Sequence, residues 1–158
     1  MKHSIKVGLS FGMTSGIITT LGLIVGLAEG TQSAMLVIGG ILTIAVADSL
    51  SDALGIHVSE ESEGVHTNKQ VWVSTISTFV TKFLVACTFI IPFLLLDLQK
   101  AVGTSVVWGF ILLNISSFFI ARQNPKMGFN PIAEHSAIAL IVIIITYFIG
   151  KWISGVFL

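Results

Sequence analysis

Five stretches of about twenty mostly apolar residues, each long enough to cross the hydrocarbon of a bilayer as a helix, constrain this chain more than anything else in it. They fall at about residues 7–28, 33–58, 71–96, 101–121 and 134–157. Within hydrocarbon each backbone N–H and C=O must find its partner inside the segment, so single stretches of this length are helices. Composition agrees, since 54% of the 158 residues are hydrophobic and only 10% are charged, against about 25% charged in a soluble domain. One small core cannot bury that much apolar surface. The expected architecture is an all-α integral membrane protein, a single transmembrane domain over residues 1–158 with five transmembrane helices.

An odd number of spans puts the two ends of the chain on opposite sides. Lys2, Lys6, Lys69, Arg122 and Lys126 share the side of the N-terminus, while the other side holds Lys100 and Lys151. That imbalance predicts a cytoplasmic N-terminus. The first apolar stretch, Val7 to Ala28, is longer than the hydrophobic part of a signal peptide and reads as a membrane helix. Eight basic residues balance eight acidic ones, so nothing points to nucleic acid as a partner. The lone Cys87 lies in an apolar run and reads as packing. A prokaryotic inner membrane is the expected location.

The chemistry lies in charges where a membrane helix should have none. Asp48 and Asp52 sit one turn apart in the second apolar stretch. An ionised side chain at bilayer depth costs roughly 2.5–3.5 kcal/mol, so it faces protein, a cation or a proton path. At helical spacing Ala45, Asp48, Asp52, Ser59 and Glu63 share one face, a line of carboxylates and hydroxyls along which a cation would be held. His57 lies off that face and reads as an interfacial side chain. Glu60, Glu61, Glu63 and His66 gather just beyond, either to concentrate cations at the cytoplasmic mouth or as a solvated helix end. Lys82 is the third charge at depth, with Asp48 and Asp52 as its natural partners. It reads either as electrostatic glue or as the group that couples a bound cation to protons.

The other helices carry subtler marks. Gly8, Gly12, Ser15, Thr19, Gly22 and Gly26 follow a 4, 3, 4, 3, 4 spacing that puts small residues on one face of the first helix, a seam for close helix packing. Ser15 and Thr19 also offer oxygens to a cation. Pro92 predicts a kink near the end of the third span. Asn114, Ser116 and Ser117 predict interhelical hydrogen bonds, and Arg122 to Pro131 is dense in turn residues. Glu134, near the expected start of the fifth helix, suits the helix dipole there.

These segments, taken in order, resemble the vacuolar iron transporter family. GMTSGIITTLGLIVGLAEG at Gly12–Gly30 looks like that family's Gly-rich first helix, and SDALGIHVSEESE at Ser51–Glu63 is similar to its second-helix pattern. Pro92-Phe93 and TYFIGKWIS at Thr146–Ser154 add to the likeness. The resemblance implies a homodimer that moves ferrous iron or another divalent metal out of the cytosol, in exchange for protons, along a path between subunits. The metal is cargo, and no permanently bound cofactor and no enzymatic activity are implied. By position, the family's first-helix aspartate falls on Ser15, its second-helix methionine on Asp52 and its second-helix glutamate on Ile56. Its glutamate-rich cytoplasmic helices are replaced by the short run Ser59 to Gln70. Loss of the thioether moves the ligand set from iron toward harder cations such as Mn²⁺, Mg²⁺ or Ca²⁺.

Two other readings compete. In one, the protein transports nothing, and the Asp/Lys charges fix helix register. In the other, the Asp-x-x-x-Asp spacing of Asp48 and Asp52 belongs to a metal-dependent phospholipid-forming transferase, although the arginine-containing first half of that motif is absent.

Overall fold

The computed structural model describes residues 2–123 and 130–157. Their fold is helical throughout, with α1 (Lys2–Thr31), α2 (Ala34–Glu63), α3 (Asn68–Thr88), α4 (Ile90–Leu95), α5 (Leu98–Gln123) and α6 (Asn130–Phe157). Among the described residues five helices are long and apolar enough to cross a membrane, α3 and α4 together forming the third of them. The chain is thus built as a membrane-embedded protein. The turn-rich residues 124–129 lie outside the described residues.

Several helices run past their apolar stretches, and at the ends of α2 and the start of α3 caps rather than hydropathy fix the limits. Ser33 caps α2 by accepting from the Leu36 N–H at 3.4 Å. At the other end of α2, Gly64 turns with φ +67°, a left-handed conformation that glycine adopts without strain. Thr67 and Gln70 then form a reciprocal capping box that starts α3. Because α6 opens at Asn130, Glu134 falls in its second turn and no acid occupies the first. Near Pro92 the third span breaks at Phe89: Pro92 has no N–H to offer the carbonyl of Thr88, so α3 ends there and α4 resumes.

The central helix is α1, which packs chiefly against α3 and α6 and also touches α2 and α5. Its row of small residues lies on one face but serves two partners. A Cβ on Gly8 would lie 2.6 Å from the Ser74 carbonyl oxygen, and one on Gly12 would lie 2.8 Å from that of Thr78, so α3 rides on the first half of α1. Gly22, Gly26 and Gly30 meet Val142, Thr146 and Gly150 of α6 in the second half. Away from these contacts Ile17, Leu21, Ile24, Val37, Ile41, Phe89 and Leu113 form the buried apolar core.

A second row of small residues stays uncovered. Gly39, Thr43, Ala47, Ser51, Gly55 and Ser59 recur at every fourth position of α2, and all six are exposed. Nothing lies within 4 Å of a Cβ added at Gly39 or Gly55. Beside them runs an exposed ridge of Leu42, Val46, Leu50, Leu54 and Val58.

Candidate functional site

The three charges at depth meet midway along their helices. Lys82 is fourteen residues into α3, about 21 Å from its start at 1.5 Å per residue. Its side chain is only 2% exposed. The ammonium Nζ lies 2.6 Å from Asp48 Oδ2, forms an ion pair with Asp52 Oδ2, and donates to Ser15 Oγ at 2.9 Å. Ser15 Oγ in turn donates to Asp52 Oδ2 at 2.6 Å. The contact with Asp48 is an ion pair without an aligned hydrogen bond, so Asp52 is the more tightly held of the two acids.

Local sequence explains why these groups converge. A Cβ on Gly16 would lie 3.0 Å from Lys82 Cγ, so the bare backbone of α1 makes room for the lysine stem and presses it against α2. Ser74, Thr78 and Lys82 recur every four residues along α3 and are all buried. The four-residue spacing keeps them on one face, under the glycines of α1. Asp48 and Asp52 stand at the edge of the buried face of α2, with side chains 30% and 23% exposed. One lysine faces two aspartates, leaving a formal charge of minus one on a partly open surface at mid-helix.

The mouth residues divide. Glu60 is 5% exposed and accepts a hydrogen bond from the buried Ser74 Oγ at 2.6 Å. This contact repeats the antiparallel register of Asp52 with Lys82, eight residues or about 12 Å nearer the end of α2. Glu61 and Glu63 are exposed, Glu63 lying 3.2 Å from His66 Nε2, and His66 stacks on His3 with centroids 6.2 Å apart. His57 bonds Thr75 Oγ1 at 2.9 Å and meets the edge of Trp72.

Three candidate ligands therefore stand apart from the centre. Thr19 is exposed and donates to the Ser15 carbonyl, while Ser59 and Glu63 point outward although they share a helical face with Asp48 and Asp52. Residues buried on α2 run Val37, Ile41, Ala45, Ser49, Ala53 and then Glu60. That i, i+4 row drifts by about 40° per step because 3.6 residues make a turn. By the last turns the buried face has rotated past Ser59 and Glu63 onto Glu60.

Three further hydroxyls were not singled out by sequence. Thr14, Thr20 and Ser49 are hydroxyls with a buried oxygen that has no partner among the described residues. Their only signal was proximity to Ser15 and Asp48 in the chain. Between α5 and α6, His135 bonds Ser117 at 2.8 Å and Ser136 donates to Asn114 Oδ1 at 3.2 Å, whereas Ser116 bonds within its own helix to Leu113. Among the described residues no three His, Cys, Asp or Glu side chains cluster as a ready-made metal cage.

Fold and site together define a class: a helical membrane-embedded protein with five membrane-length helices among the described residues and a partly open Asp–Lys–Asp centre built on a buried lysine. No known family, curated protein or solved structure matches the chain.

Proposed function

We propose that this protein is a divalent metal cation transporter of the Fe²⁺/Mn²⁺ type, working as a homodimer that exports cytosolic metal in exchange for protons. The observation that carries this reading is the centre of Lys82, Asp48, Asp52 and Ser15, charged, mid-helix and partly open on α2. Nζ sits where the two Oδ2 atoms converge, the position a divalent cation would take between them. Carboxylate and hydroxyl oxygens suit hard cations, with Mn²⁺ favoured over the softer end of the series. Metal held there would displace the ammonium, so site occupancy by metal and by lysine charge would exclude one another.

A second copy completes the site. Charged side chains at bilayer depth do not face lipid, yet Asp48 and Asp52 are open on the surface of one protomer. The uncovered small row from Gly39 to Ser59 runs beside them, the kind of stripe along which membrane helices approach closely. Pairing two copies along α2 would bring four carboxylates and two lysines to one axis. The basic side, with Lys6, Lys69 and Arg122, is then the cytoplasmic one, and Glu60 leads inward from it.

Uptake into proteoliposomes under an imposed pH gradient tests the reading, comparing Fe²⁺, Mn²⁺, Mg²⁺, Ca²⁺ and Co²⁺ for the wild type and Asp52→Asn. Metal flux that collapses the gradient and is lost in Asp52→Asn is the expected result. No flux of any cation through folded, dimeric protein would overturn it in favour of a structural role for the charges. The charge exchange Asp52→Lys with Lys82→Asp separates the two further, because a structural pair tolerates the swap and a transport site does not.

A further inference from the structure

We propose that the groove between α1 and α5 holds one anionic membrane phospholipid, with its phosphate on Lys6 and an acyl chain along the groove. This inference stands apart from the transport reading. The groove encloses about 280 Å³ and opens at the basic end of the bundle. Leu9 and Met13 wall it from α1, Ile115 and Phe119 from α5, and among the described residues the one charged side chain that lines it is the exposed Lys6. Among the described residues no acidic side chain lines it. Arg122, exposed in the last turn of α5, lies three residues beyond the lining Phe119 and seven beyond Ile115, on the same side of the helix, and adds a second cation near the groove.

The order of groups along α1 matches the order along a phospholipid. Lys6 and Ser10 are four residues apart on one helical face, about 6 Å along the axis, with Met13 a further turn in. That sequence sets a cation at the phosphate, a hydroxyl at the ester carbonyls of the glycerol, and apolar walls where the chain begins. A free phosphate would use only Lys6 and leave the apolar walls empty. A zwitterionic lipid would set its own cation against Lys6 and Arg122. Basic pockets between membrane helices on the cytoplasmic side select anionic headgroups for this reason.

Native mass spectrometry of the purified full chain tests this, with equimolar phosphatidylglycerol and phosphatidylcholine of matched acyl chains added in detergent. The wild type is expected to retain phosphatidylglycerol by about fivefold over phosphatidylcholine, the discrimination one basic residue gives at an anionic surface. Lys6→Gln should lower the ratio toward the smaller preference that Arg122 alone supports, Lys6→Arg should keep it, and Ser10→Phe should lower retention of both lipids by filling the groove. Equal retention of the two lipids by the wild type, or an undiminished preference in Lys6→Gln, would overturn the proposal. So would a dimer whose stability falls on Ser10→Phe with no lipid retained, since a second copy would then occupy the groove.

Discussion

Replacing Lys82 with Met removes the ammonium while keeping a side chain of similar length to pack against Gly16. Asp48 loses its ion pair, and Asp52 keeps only the Ser15 hydroxyl at 2.6 Å. Removing one member of a buried ion pair costs about 3–5 kcal/mol, because the charge left behind has no compensation. Since Asp48 and Asp52 retain 30% and 23% exposure, the lower end applies, about 3 kcal/mol. For a chain of this size that lowers the unfolding midpoint by about 6–12 °C. Adding Asp52→Asn should recover part of the loss, for it removes a negative charge while the amide oxygen still accepts from Ser15. Millimolar Mn²⁺ should raise the midpoint of Lys82→Met more than that of the wild type, where lysine already occupies the space between the carboxylates. Circular dichroism melts in detergent measure all three. A Lys82→Met protein as stable as the wild type would refute the reasoning, and a loss that neither Asp52→Asn nor metal relieves would show that packing rather than charge was lost.

Two further substitutions test the two rows of small residues. Gly12→Val should destabilise the protomer by about 1–3 kcal/mol, since its Cβ would stand 2.8 Å from the Thr78 carbonyl oxygen, and the same melts read this directly. Gly55→Leu meets nothing within 4 Å, so it should leave the helical signal intact and shift the protein from dimer to monomer by light scattering in detergent; an unchanged dimer would remove α2 from the interface.

The membrane class and the number of spans were legible because twenty apolar residues in a row admit few alternatives. Lys82 with Asp48 and Asp52 was legible for a related reason: a charge at depth has a short menu of partners, and only three such groups exist. Helix ends were not legible from hydropathy, since the polar runs Lys2–Lys6 and Ser59–Glu63 are helical, the second of them as far as the cap at Gly64. The capping box of Thr67 and Gln70 was readable in principle, as a Thr-x-x-Gln spacing. Placing Ser59 and Glu63 beside Asp52 failed because a face drawn on one ideal helix ignores the neighbour, and the neighbour's axis follows the drifting i, i+4 row. The spacing of the α1 seam puts its small residues on one face, but holds no information on whether one helix or two will lie against it.

Two rows of small residues thus meet opposite fates in one protomer. On α1, the glycines from Gly8 to Gly30 are used within the chain, the first half drawing α3 close enough to bury Lys82 and the second half seating α6. On α2, the row from Gly39 to Ser59 is left bare beside a ridge of leucine and valine. Exposed leucine and valine need no explanation in lipid, but exposed glycine, serine and alanine at every fourth position give lipid little to pack against and give a second helix a groove. The aspartates stand at the boundary between the two surfaces, tied from one side to a lysine buried by the α1 glycines and open on the side of the α2 row. A charge centre meant only to fix helix register would be most stable closed within the protomer. One left open along a packing stripe is placed where a second subunit, and a cation held between the two, can reach it.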